Sequence, residues 1–240
     1  MRFYNNATQQ DLETSDLLGI HGERPQVHLS ELHWTDNTCL VVAENGGITG
    51  RGVLIDYYAW TQKQGVAVNA FESCAITLDD VKKVMQDCQI QLQKGDILFI
   101  RSGFTAAYNK LSEDERRSLA QRPSPDFIGL ESSRTVLKWM WEQQFAAVAG
   151  DAPSFERAPV RGSHMDPEHH FHEWVLSGWG TPIGELFDLE RLGEHCARTG
   201  RYTFFISSVP LKVSNANKLF LSWFYFCVTI NLTNTRILFR

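Results

Sequence analysis

A chain of 240 residues that is 43% hydrophobic, 21% charged and 12% aromatic has the composition of a soluble globular protein with one sizeable core. Those proportions exclude a disordered or fibrous chain. The formal net charge of -5, the pI of about 5.9 and the lack of any Lys/Arg-rich stripe exclude a nucleic-acid binder.

In chain order, residues 1–21 read as a polar lead-in followed by a short helical turn. The stretch 1–10 has no apolar core of the kind a secretory signal needs. Residues 22–45 have no clean period and read as a loop or insertion. At Gly46 the character changes: GGITGRG reads as a glycine-rich turn and VLIDYYAW as a buried strand, since it is β-rich and nearly continuous in apolar residues. The glycine run precedes a strand, whereas a dinucleotide fingerprint follows one and opens a helix, so it is no phosphate loop.

Thr77 is a predicted N-cap with acids in the first turn after it. Leu78, Val81, Val84 and Met85 then place an amphipathic helix over 78–88. Lys94-Gly95-Asp96 turns the chain into a strand from Ile97 to Arg101. Ser112 opens another helix with acids first, Glu131 to Gln144 is helical, and Phe145 to Ala149 is a short strand ending at Gly150-Asp151. Asp166-Pro167 is read as the start of a helix, with Pro at its first position, that stops near Gly178. The loop GWGTPIG leads to Glu185, residues 188–198 form a helix closed by Gly200, and Tyr202 to Val209 is a further strand. Strands alternating with helices predict an α/β domain, its polar chemistry at strand ends and loops. The apolar run Leu219–Ile230 has twelve residues. A helix needs about 20 to cross a membrane, so this run is expected to be β-rich and not a span. The five cysteines are scattered, without a C-x-x-C pair, as befits free thiols in a reducing compartment. Cytoplasm is the expected location, with neither nucleic acid nor membrane as a partner.

The densest set of potential ligands is Asp166, Glu168, His169, His170, His172 and Glu173. On a helix His169 and His172 share a face and suit Zn²⁺ or Mn²⁺, although the same residues also make an ordinary solvated helix start. Glu185 follows a Gly/Pro-rich loop that is able to fold back and set a carboxylate beside an imidazole; it is equally a first-turn helix acid. Asp151, opening Asp-Ala-Pro-Ser, and Arg101-Ser102-Gly103 stand at strand ends, where either a structural turn or an active-site wall fits. A G-x-S-x-G elbow is absent, so the serine-hydrolase route has no nucleophile.

GGITGRGVLIDYYAW (46–60), KGDILFIRSGFTAAYNKLS (94–112), AVAGDAPSFE (147–156), FHEWVLSGWGTPIGELFDLERL (171–192) and SSVPLKV (207–213) together resemble the cyclase family, most closely its fungal-type members. The resemblance implies a swivelling β/β/α domain over 46–213, after a lead-in and insertion over 1–45 and before an atypical apolar tail over 214–240. It implies divalent-metal-dependent hydrolysis of amide-like bonds, as in kynurenine formamidase (arylformamidase), which cuts N-formylkynurenine to kynurenine and formate in tryptophan breakdown. It also implies a small-molecule substrate and a homo-oligomer. His172 and Glu185 take the positions of metal ligands and catalytic groups, the metal being zinc or manganese. Arg101, Asp151 and Ser154 take substrate-binding positions. The family's N-terminal ligand pattern, H-x-G-T-H-x-D-x-P, has no counterpart: His28, His33 and Asp36 do not reproduce it, and the corresponding segment would precede Phe3 and Met1. Two expectations follow. One is a metal-dependent amide hydrolase; the other is a truncated, non-catalytic cyclase-family chain acting as a binding or oligomerising module.

Overall fold

The computed structural model describes residues 47–159, 168–210, 226–232 and 235–239, together with Gln10. The insertion expected within 22–45 therefore lies outside the described residues. The chain builds a mixed α/β domain on one central sheet, as alternation of strands and helices predicts. The strands of this sheet are β1 (Ile48–Ile55), β3 (Ile97–Ile100), β5 (Ala147–Gly150), β6 (Ile183–Gly184), β7 (Thr203–Pro210), β8 (Phe226–Leu232) and β9 (Thr235–Phe239). Their order is β6-β5-β3-β1-β7-β8-β9. The first four lie parallel, while β7 runs antiparallel to β1 and is followed by the antiparallel β8 and β9. A separate parallel pair joins β2 (Ala75–Ile76) to β4 (Gly129–Leu130).

The parallel strands are buried on both faces, which is why they read as continuous apolar runs: Ile97 to Ile100 and Ala147 to Gly150 are buried at every position. Helices α1 (Tyr57–Gln64), α2 (Leu78–Asp87), α3 (Phe104–Tyr108), α4 (Glu113–Ala120), α5 (Arg134–Gln143) and α6 (Glu190–Thr199) occupy the connections. Thr77 and Ser112 cap α2 and α4, each with a reciprocal carboxylate (Asp80 and Glu115), so both helix starts read from the sequence are present. Among the described residues no helix is long and apolar enough to cross a membrane.

The run 46–60 folds differently from its reading. The glycine-rich part is strand: β1 begins at Ile48, and Gly52 pairs with Phe204 of β7. A side chain at Gly52 would place its Cβ on the Phe204 ring, so glycine here admits a close cross-strand aromatic and does not mark a turn. The strand stops at Ile55 because Asp56 turns its carboxylate back to the Ala59 backbone N–H (2.9 Å) and starts α1. Apolarity alone does not separate a buried strand from a buried helix, and the break falls inside one apolar run.

Candidate active site

Each parallel strand of the central sheet delivers a charged residue at its carboxyl end. Register pairs Ile55 with Ile100 and Ile100 with Gly150, and the next residues are Asp56, Arg101 and Asp151. Gly184 pairs with Ala149, and the residue after β6 is Glu185. Open α/β sheets gather their ligand-binding groups at this end.

Glu185 is brought to the site by two backbone anchors. Leu186 N–H donates to the Ala152 carbonyl (3.1 Å) and Phe187 N–H to the Gly150 carbonyl (3.0 Å), which folds the loop against the end of β5. His172 arrives from the other side. Phe171 is fully buried, its ring 5.2 Å from that of Phe155, so the dipeptide Phe171-His172 lies against Phe155-Glu156. The imidazole then sits between two carboxylates. Nδ1 lies 2.7 Å from both oxygens of Glu156, and Nε2 lies 3.3 Å from Glu185 Oε1. Burial alone would depress the imidazole pKa, but the hydrogen bonds to Glu156 and Glu185 outweigh it and raise the value to about 10.

Of the histidine-rich segment, His172 takes part in this arrangement. Asp166 and Pro167 lie outside the described residues, and His169 and His170 precede the helix, which becomes helical at Phe171 and continues as a π-helix over Glu173–Gly178. The shared helical face expected for His169 and His172 is therefore not formed.

Asp151 is completely buried. It accepts from the Ser102 N–H (2.6 Å), the Ser102 hydroxyl (2.7 Å), the Gly103 N–H (2.9 Å) and the Thr105 N–H (3.4 Å). Burial pushes its carboxyl above the usual range against the pull of those donors. Arg101 is equally committed: Nη1 reaches both oxygens of Asp56 (3.0 and 3.1 Å), Nε and Nη2 reach Glu190 (3.0 and 2.6 Å), and the guanidinium lies 4.9 Å from the Tyr58 ring centroid. Burial would lower the Arg101 pKa, yet Glu190 and Asp56 more than reverse that, so the side chain stays charged. Ser154 differs from both, because its buried hydroxyl has no hydrogen-bond partner among the described residues. Such an orphan in a loop beside Glu156 is suited to a group that binds from outside.

Glu156 was not among the residues singled out by the sequence. It stands sixteen residues from His172 with a loop between, so no helical or strand period links them. The one available signal was its place five residues after Asp151 in Asp-Ala-Pro-Ser-Phe-Glu.

The donors present suit a divalent cation. A metal-bound imidazole almost always donates its other ring N–H to a carboxylate, and Glu156 is that carboxylate, with Glu185 facing the remaining nitrogen. They supply part of a coordination sphere: among the described residues, no group of three or more His, Cys, Asp and Glu side chains is placed to hold an ion by itself.

The family model named Cyclase, described as "Putative cyclase", matches residues 29–157, more than half of the chain. A crystal structure described as a novel cyclase aligns with a TM-score of 0.56 and 31% identity, covering 71% of this chain and 50% of that one. Isatin hydrolase A from Labrenzia aggregata, bound to benzyl benzoate, aligns with a TM-score of 0.49 and 16% identity over 72% of this chain and 58% of its own. Isatin hydrolase A from Ralstonia solanacearum gives 0.46 and 16% over 71% and 56%. The chain thus spans about half the length of the first of these structures. No curated protein matches it.

Proposed function

Because this chain belongs to the cyclase family, we propose that it is a divalent-metal-dependent amide hydrolase of arylformamidase type, converting N-formylkynurenine to kynurenine and formate. The observation that carries this reading is the Glu156–His172–Glu185 chain at the carboxyl ends of the parallel strands. His172, through Nε2, and Glu185 would hold the ion, zinc or manganese. When bound, the ion polarises an amide carbonyl and lowers the pKa of water to about 7.

The chain's own residues do the rest. Glu156 fixes the imidazole from behind. Glu185 is partly exposed and is placed to accept a proton as the amide is attacked. Ser154 offers its unpartnered hydroxyl to a polar atom of the substrate. Asp151 and Arg101 form the wall: Asp151 clamps the β3–α3 turn to the end of β5, and Arg101 ties β3 to α6.

Formate release from N-formylkynurenine by the full chain with added Zn²⁺ or Mn²⁺ tests this. His172→Ala is expected to lose roughly 100-fold or more in turnover, the scale on which positioned acid–base and metal groups act. Equal turnover in wild type and variant would overturn the reading. A second reading, a non-catalytic cyclase-family chain serving as a binding or oligomerising module, is favoured by the partial donor set among the described residues. That reading predicts no metal-stimulated hydrolysis at all.

A further inference from the structure

An imidazole has two nitrogens, and only one of them is able to face the ion while the other is held by the protein. We propose that Glu156 is the positioning residue that assigns Nε2 of His172 to the ion, and that Gly129 of β4 in turn sets Glu156. This rests on the metal-hydrolase reading above and adds to it the nitrogen that Glu156 selects and the role of Gly129.

Glu156 is 1% exposed, and both of its oxygens lie 2.7 Å from Nδ1. A carboxylate only accepts hydrogen bonds, so Nδ1 must carry the proton. The nitrogen left over, Nε2, faces Glu185 Oε1, 3.3 Å away. A second ring proton bridges the two in the metal-free chain, and the ion would take that proton's place. Exchanging Glu156 for an amide removes the demand for Nδ1–H, because an amide satisfies either tautomer. The ring is then free to present the wrong nitrogen.

Glu156 is itself positioned by the small sheet. Leu130 N–H donates to the Phe155 carbonyl (3.0 Å) and Arg157 N–H donates to the Leu130 carbonyl (2.8 Å), bracketing Glu156 on both sides. At Gly129 the backbone passes so close that an added Cβ would lie 2.3 Å from the Glu156 carbonyl carbon and 2.6 Å from the Arg157 nitrogen. Those are backbone atoms and cannot swing aside. Any side chain at 129 must push the Glu156 segment away, toward or past His172. Nothing in the local sequence ties Gly129 to the site; the connection exists only through β4.

The test is Zn²⁺ affinity of the metal-free full chain, read by competition with a chromophoric chelator, with the thermal midpoint measured alongside. Glu156→Gln is expected to weaken Zn²⁺ by about 10- to 100-fold, the usual effect of losing a carboxylate behind a ligating histidine, and to lower the metal-free thermal midpoint because the ion pair with His172 is lost. Glu156→Asp, which keeps the charge on a shorter arm, is expected to lose less. Gly129→Ala is expected to shift affinity in the same direction as Glu156→Gln. Affinity unchanged in Glu156→Gln, while His172→Ala abolishes binding, would overturn the proposal and leave the hydrolase reading standing. Equal binding by wild type and His172→Ala would overturn both. Long-range ¹⁵N–¹H correlation of the zinc-loaded wild type needs no variant to fold: Nδ1–H on His172 is expected, and zinc on Nδ1 would overturn the assignment.

Discussion

His172 sits between Glu156 and Glu185 and so behaves as a cation held in place, where a solvent-facing histidine would titrate near 6.5. Its folded pKa, about 10, lies above that free value. In the metal-free chain the imidazolium therefore contributes stability that is complete below the free pKa of 6.5 and is lost as the pH rises through about 10. The His172 ring resonances should move with a midpoint near 10 in the metal-free protein. A midpoint near 6.5 would show that the two carboxylates do not grip the ring. Arg101 poses a different residue-scale question. Its side chain is buried among Asp56, Glu190 and Tyr58, and removing it strands the Asp56 carboxylate in the interior. Arg101→Met should cost about 3–5 kcal/mol in urea unfolding, the range for breaking a buried ion pair from one side. A loss below about 1 kcal/mol, the scale of an exposed pair, would mean that the guanidinium is held loosely enough to serve a substrate instead. At this scale the sequence was informative about what each residue is and silent about whom it meets. Asp151 and Arg101 stood out at strand ends, Glu185 after a glycine-rich loop and His172 in a histidine-rich helix, while Ser154 came from the family resemblance. Asp56 and Glu190, the partners of Arg101, lie 45 and 89 residues away, beyond the reach of any local pattern.

Elements were legible where their signal is local chemistry. Thr77 and Ser112 announce α2 and α4 because a capping box is written within four residues. Gly200 closes α6 in the left-handed region, as read. The β1–α1 boundary was not legible, since one apolar run serves a strand up to Ile55 and a helix from Tyr57, and a single aspartate divides them. The π-helix over Glu173–Gly178 was also missed, because three-and-four spacing does not distinguish it from an α-helix. Gly52 offers an element-scale test. A Cβ there would lie 2.2 Å from Phe204 Cε2, in a strand pair buried at that point. Gly52→Ala should destabilise by about 1–3 kcal/mol, as overpacking does. Adding Phe204→Leu should recover part of that loss, because the two sites share the same space. Additive losses in the double variant would show that the ring is not what excludes a side chain at 52.

For the whole molecule, the order β6-β5-β3-β1 with all four strands parallel puts Glu185, Asp151, Arg101 and Asp56 at one end of one sheet. This convergence brings residues spread from 56 to 185 to one end of the sheet, the end where α/β alternation in the sequence placed the polar groups. β7, β8 and β9 extend the same sheet antiparallel on the far side of β1, away from β5 and β6. The sheet was legible as alternation; its order was not, because pairing between distant strands leaves no mark in either strand alone. The central claim is that a divalent ion at His172 and Glu185 makes this fold a hydrolase. The most direct measurement is hydrolysis of N-formylkynurenine by the full chain after chelation and again after Zn²⁺ is restored. The account predicts that turnover disappears with the metal, returns with it, and stays roughly 100-fold or more lower in His172→Ala. Turnover that survives complete chelation would contradict it.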